Sequence, residues 1–126
     1  MERLLWVCFA GALGTGTRYL IGVWALQRWG AGFPVGTLLV NVAGCFLMAL
    51  VMQASLSVAA FPPNLRLALT TGFLGGLTTY SSFNYETTRL LGQDARAALG
   101  NVLLTLVLCF GAGLLGLGLA RRLLGG

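Results

Sequence analysis

The sequence predicts an all-α integral membrane protein with four transmembrane helices, the third of them broken near mid-membrane. Three observations carry that prediction. Of 126 residues, 57% are hydrophobic and only 9% charged, with a mean hydropathy of +0.86, so too few charged groups remain to coat a water-facing globule. Four apolar stretches, 4–27, 33–57, 65–91 and 97–119, each reach the roughly 20 residues a helix needs to cross about 30 Å of hydrocarbon. The 19 glycines would make a poor soluble core but suit membrane helices, where small residues let backbones approach closely. One domain, 1–126, accommodates all four spans.

The first stretch follows Arg3, and Ala10-Gly11-Ala12 has the small-x-small look of a signal-peptidase site. The apolar core before it is only about six residues, short of the roughly 7–15 of a signal peptide, so a retained span is expected. Arg18 lies about nine residues inside the end of that span, where an unpaired arginine costs about 2.5–3.5 kcal/mol on insertion scales. It needs a partner or a wet vestibule. Gly30-Ala31-Gly32 with Pro34 separates this span from the next, Phe61-Pro62-Pro63-Asn64 the second from the third, and Gly92-Gln93-Asp94 the third from the fourth.

Polar side chains are costly in a bilayer unless they pair, pack inward or face water, so their placement carries the functional signal. In the second span Thr37 and Asn41 stand at i and i+4, with Gly44 and Cys45 one turn on. Asn41 either bonds a neighbouring helix or offers its amide to a passing anion. The third span reads Thr70-Thr71-Gly72-Phe73-Leu74-Gly75-Gly76-Leu77-Thr78-Thr79-Tyr80-Ser81-Ser82-Phe83. Adjacent glycines there serve as a packing notch or mark irregular backbone. The hydroxyls of Thr78, Thr79, Ser81 and Ser82 favour the second, because a notch has no need of them. Freed carbonyls would suit a hard cation, and the following half-helix N-terminus an anion.

Beyond the break Tyr80, Phe83 and Thr87 share one helix face. An aromatic pair at that spacing is ordinarily core packing; the alternative is that its positive ring edges hold a dehydrated anion. Glu86 and Arg89 read as a surface ion pair. In the fourth span Asn101, Thr105 and Cys109 step by four among leucines and valines, as helix glue or the rim of an aqueous path. Small residues recur at the same spacing in Ala10/Gly14, Ala12/Gly16, Cys109/Gly113 and Ala112/Gly116, each giving a flat face for close packing.

Net charge is +5, from eight arginines and no lysine against Glu2, Glu86 and Asp94. The arginines sit singly between apolar runs rather than in a basic stripe, which argues against a nucleic-acid partner. Cys8, Cys45 and Cys109 lie in apolar stretches without CxxC spacing, and histidine is absent, which excludes zinc, haem and Ser-His-Asp chemistry. No enzyme is expected, and Cys8 and Cys45 read as small packing residues. One membrane side would carry Arg3, Arg66, Arg121 and Arg122, the other Arg28, Arg89 and Arg96, a near tie. Either the small asymmetry fixes one orientation, or the chain inserts both ways and pairs antiparallel.

With these residues in view, the chain resembles the Fluc family of fluoride channels, also called CrcB proteins. The likeness rests on three segments in order: Gly14-Thr15-Gly16-Thr17-Arg18-Tyr19, Gly36-Thr37-Leu38-Leu39-Val40-Asn41-Val42-Ala43-Gly44, and Gly72 to Phe83. The resemblance implies an antiparallel dual-topology homodimer in the cell inner membrane, with two fluoride pathways and a sodium ion at the dimer centre. It implies backbone carbonyls of Gly75 and Thr78 as sodium ligands, Asn41 as a pore amide, and Tyr80 and Phe83 at the aromatic pore positions. Ser81 would line a neighbouring pathway, Thr105 and Cys109 the fourth-span polar track, and Arg18 an aqueous vestibule. Tyr80 stands where the family usually has Phe, and Cys109 with Gly113 offers less hydroxyl than that track often has.

The function expected is passive fluoride export from the cytoplasm. The rival is a small dual-topology antiporter exchanging protons for cationic drugs, which needs an intramembrane carboxylate. Glu86 is its only candidate.

Overall fold

The structure, a computed structural model, describes residues 1–125, and these are helical throughout apart from short connections. Helix α1 (Glu2–Trp29) ends at Gly30, whose φ of 75° a side chain would resist and whose N–H closes on the Leu26 carbonyl at 2.8 Å. Helix α2 (Val35–Ser57) follows the Pro34 turn. Pro63 opens α3 (Pro63–Leu67) at the first helical position, where its missing N–H costs nothing. The chain then runs on through a π-helical segment (Ala68–Leu74) into the single turn α4 (Gly75–Leu77). Two extended residues separate α4 from α5 (Tyr80–Leu91), and Asp94 caps α6 (Ala95–Leu124) by accepting the Arg96 N–H at 2.9 Å.

Three helices, α1, α2 and α6, are each long and apolar enough to cross a membrane. The third predicted span is the composite from α3 to α5, and its break falls on the Thr-Thr half of the Gly-Gly and Thr-Thr segment rather than on the glycines. Gly75 is ordinary right-handed helix, φ −63° and ψ −36°, and Gly76 continues it. The backbone leaves the helix at Thr78 (ψ 153°) and Thr79 (φ −152°, ψ 120°).

The glycines are helical because they are contact surfaces. A side chain on Gly76 would strike the Gly11 carbonyl and Thr15, one on Gly72 would meet Ala10 and Val7, and one on Gly14 would enter the Phe73 peptide. With no hydrophobic force between helices in lipid, such close backbone approach supplies the attraction. The notch and the break are therefore separate features of one segment. On the other side Gly116 sits against the Phe46 backbone, and Gly113 faces the Cys45 carbonyl. Of the small-residue pairs read from the sequence, Ala12/Gly16 differs from the rest, since Gly16 has open space where a side chain would stand.

The third span thus changes neighbours at the break. Before it, the chain packs on α1; after it, α5 packs mainly on α6, which lies along α2. The interior is thin, mostly alanine with Val40, Leu74, Leu77 and Leu90, while Leu, Phe and Trp side chains cover the outside. That inversion matches a chain solvated by lipid rather than water.

Gly14→Val should drive α1 off the Phe73 peptide and lower the unfolding temperature in detergent, by overpacking worth about 1–3 kcal/mol. Gly118→Ala, with nothing within 4 Å of the added carbon, should leave it unchanged or slightly raised. Equal effects of the two would contradict the close-approach reading.

Candidate functional site

Breaking a helix inside a low-dielectric layer frees backbone groups that must find new partners. Asn41 supplies two of them at once. Its Oδ1 accepts the Thr79 N–H at 2.8 Å, and its Nδ2 donates to the Thr79 carbonyl at 3.0 Å, so one buried amide pairs with both ends of an extended residue. The Thr79 hydroxyl accepts the Ser82 N–H at 3.2 Å and thereby caps α5. Gly44 lies under the Thr78 methyl, where any side chain would collide with it. Thr78 itself is held by its hydroxyl, which donates to the Leu74 carbonyl at 2.9 Å.

These contacts leave other carbonyls free. The Thr79 N–H that would reach the Gly75 carbonyl in a continuing helix is taken by Asn41. Among the described residues no backbone hydrogen bond reaches the Thr78 carbonyl either. The Gly76 carbonyl is satisfied by Arg18, whose Nε donates to it at 3.0 Å. That contact is how Arg18 is tolerated inside its span.

One open groove of about 840 Å³ runs along α2 and α6 and over the start of α5. It brings together Asn41, Thr78, Thr79, Tyr80, Phe83, Thr105 and Cys109, with Cys45, Met48 and Phe110 among its walls. The Tyr80 and Phe83 rings lie 5.8 Å apart, centroid to centroid, tilted by 57°; Tyr80 is 79% exposed. Phe83 is held from behind: its carbonyl accepts the Thr87 hydroxyl at 2.7 Å, and Thr87 accepts Asn101 Nδ2 at 2.8 Å. Asn101 is thus helix glue, the first of its two readings. Thr105, one turn on, is different, because its hydroxyl is buried without any partner.

Of the predicted pathway residues, Asn41, Tyr80, Phe83, Thr105 and Cys109 share this groove, and Ser81 does not. Ser81 is exposed on another side of α5, its hydroxyl 3.4 Å from that of Thr79. Arg18 and Gly75 also stand outside the groove, on the α1 side of the break. The Glu86/Arg89 ion pair does not form. Glu86 leans instead onto α2, accepting the Thr37 hydroxyl at 2.8 Å, and Arg89 reaches the Ala31 carbonyl at 3.2 Å. Both line a second cavity of about 300 Å³ near the ends of α1 and α5.

In the sequence Thr79 stands out only as one hydroxyl among several. Its central role could have been read from Thr79 standing three residues before Ser82 at the start of a helix, the spacing of an N-cap. Cys45 is more than the packing residue its apolar stretch suggests: its four-residue step from Asn41 puts both on one helix face, and both line the groove.

Chemically, the groove combines an amide with one N–H to spare, two aromatic rings and an orphan hydroxyl, with no charged side chain on its walls. Such a surface can desolvate and weakly hold a small ion. The fold and this groove define a multi-pass membrane protein built around a broken helix. Residues 5–117 match the family described as CrcB-like protein, Camphor Resistance (CrcB), and the chain belongs to that family. It is 55% identical to the fluoride-specific ion channel FluC of Anaeromyxobacter dehalogenans (strain 2CP-1), covering 99% of this chain and all of the relative. It is 50% identical to the FluC of Sorangium cellulosum (strain So ce56) over the full length of both. With that of Citrifermentans bemidjiense it shares 47% identity over 98% of this chain.

Asn41→Leu keeps the branched shape and heavy-atom count of the side chain and leaves both Thr79 backbone groups without partners, at about 1–3 kcal/mol each. The variant should unfold at markedly lower temperature, and its amides around Thr79 should exchange hydrogen faster than in the parent. Undiminished protection there would show that Asn41 does not hold the break.

Proposed function

We propose that this chain is a passive fluoride-selective channel that lets fluoride leave the cytoplasm across the inner membrane, acting as an antiparallel dual-topology homodimer. The observation that carries the reading is the groove itself, in which the Asn41 amide, the tilted Tyr80/Phe83 pair and the unpartnered Thr105 hydroxyl line one uncharged path. The names of the full-length relatives supply the ion. The antiporter alternative finds no support in them.

In this reading fluoride sheds water and takes in its place the second Asn41 N–H, the ring edges and the Thr105 hydroxyl. Cys109 S–H is a weak donor one turn further along. No single contact is strong, which lets the ion leave. Arg18, fixed by Nε on the Gly76 carbonyl, keeps its remaining N–H groups to draw anions into a vestibule. Ser81, outside the groove of its own chain, would serve the pathway of the second copy. Dimerisation also covers Gly75, Tyr80 and Ser81, which a single chain leaves exposed.

The carbonyls of Gly75 and Thr78 fit a sodium ion: they are hard neutral oxygens whose helical donors are taken elsewhere, the Thr79 N–H by Asn41 and the Ser82 N–H by the Thr79 hydroxyl. Bound there, sodium would neutralise carbonyl dipoles of both copies at the dimer centre. The chain's own part is to hold those oxygens out of the helix.

Purified protein in liposomes, followed with a fluoride electrode, should release fluoride and retain chloride. Absence of fluoride release from a verified dimer would overturn the reading. Phe83→Ile should slow release by about tenfold, equivalent to about 1.4 kcal/mol on the barrier, without loss of dimer. Single-cysteine variants on a Cys-free background should crosslink as antiparallel pairs; exclusively parallel products would refute the dual topology.

A further inference from the structure

We propose that the groove binds a soft, thiophilic d10 metal cation between Cys45 and Cys109, and that the bound cation blocks passage. The blocking half rests on the channel reading; the binding half does not.

The observation is where the sulfur lies. The chain has three cysteines and three methionines, and apart from Met1 and Cys8 all of them line this one groove. Cys45 and Met48 stand three residues apart on α2, with Met52 one turn further, so three sulfurs share one helix face. Cys109 faces them from α6. The two helices are in close contact at this level, with Gly113, one turn after Cys109, 3.9 Å from the Cys45 carbonyl measured to an added Cβ, and Gly116 against the Phe46 backbone. Cys45 and Cys109 both line the groove, and both thiols are free and half-buried.

Thiolate and thioether sulfur select soft cations such as silver(I) and copper(I), which accept two nearly collinear ligands. Tetrahedral zinc chemistry is not served, since no group of three or more His, Cys, Asp or Glu side chains exists among the described residues. Binding needs no oxidant. The cation replaces the two thiol protons, two S–metal bonds form as two S–H bonds break, and the protons pass to water. With a monovalent cation the bis-thiolate carries one negative charge, so the site would oppose an anion by charge as well as by volume. Cys109 sits one turn from the unpartnered Thr105 hydroxyl, which places this plug on the polar side of the groove.

The test uses silver(I) in chloride-free buffer with full-length protein on a Cys8→Ala background, which removes the exposed thiol on α1. Titration against a competing monothiol should show about one tight silver per chain, and direct addition of silver without the competitor should release about two protons per metal. Cys45→Ser and Cys109→Ser should each weaken binding by about 100-fold, as expected when a preplaced pair becomes a single ligand. Undiminished affinity in either serine variant would overturn the site. In liposomes, silver should cut fluoride efflux of the Cys8→Ala protein to about a tenth or less of its metal-free rate. It should leave each serine variant at its own metal-free rate. Tight silver binding with full efflux would overturn the blocking role. Absence of efflux without metal, alongside an intact silver titration, would overturn the channel reading and leave the metal site standing.

Discussion

The structure depends on the pairing of one asparagine with one extended residue. A helix interrupted within a bilayer leaves amides and carbonyls that lipid cannot satisfy, and each one costs several kcal/mol. Asn41 meets both demands of Thr79 with a single side chain, in the manner of a neighbouring strand. Everything useful about the groove follows from that substitution. It fixes the direction in which α5 leaves the break, and hence where Tyr80 and Phe83 stand. It diverts the donor that would otherwise close the Gly75 carbonyl. It also holds the asparagine's spare N–H at the groove wall.

The clamp works because its surroundings are rigid by steric means rather than by charge. Arg18 and Glu86, the charges carried into the spans, are held by a carbonyl and a hydroxyl instead of by an opposite charge. Glycines bring α1 against the first half of the third span and α6 against α2, so that backbone meets backbone on both sides of the break. In lipid, where apolar side chains gain nothing from leaving their solvent, this contact substitutes for a hydrophobic core. The small interior and the leucine-rich exterior express the same fact from opposite sides.

The helices were legible because their length and apolarity are dictated by the bilayer, and their ends by Gly30, Pro63 and Asp94. The existence of a break was legible from the run of threonines and serines around two glycines. Which half of that segment leaves the helix was not, because glycine signals both weak helix propensity and close packing, and only the neighbour decides which applies. Here Gly11 and Thr15 decide for packing at Gly76, and the threonines carry the break. Most groove residues were legible as polar steps of four along a helix. The partners of Glu86 and Arg89 were not: an i, i+3 charge pair is a local expectation, and Thr37 and Ala31, distant in sequence, instead take one Glu86 oxygen and one Arg89 N–H.

The change of neighbours at Thr78–Thr79 also sets an order of assembly. Residues 63–77 can dock on α1 as soon as both have left the ribosome, since their contacts lie behind them in the chain. Residues 80–91 cannot: their main support, α6, has yet to be synthesised. For that interval the chain holds a finished half and a waiting half, joined at two threonines. The groove, with walls on α2, α5 and α6, exists only once the last helix arrives. A nascent chain therefore has no complete groove until its last helix is in place.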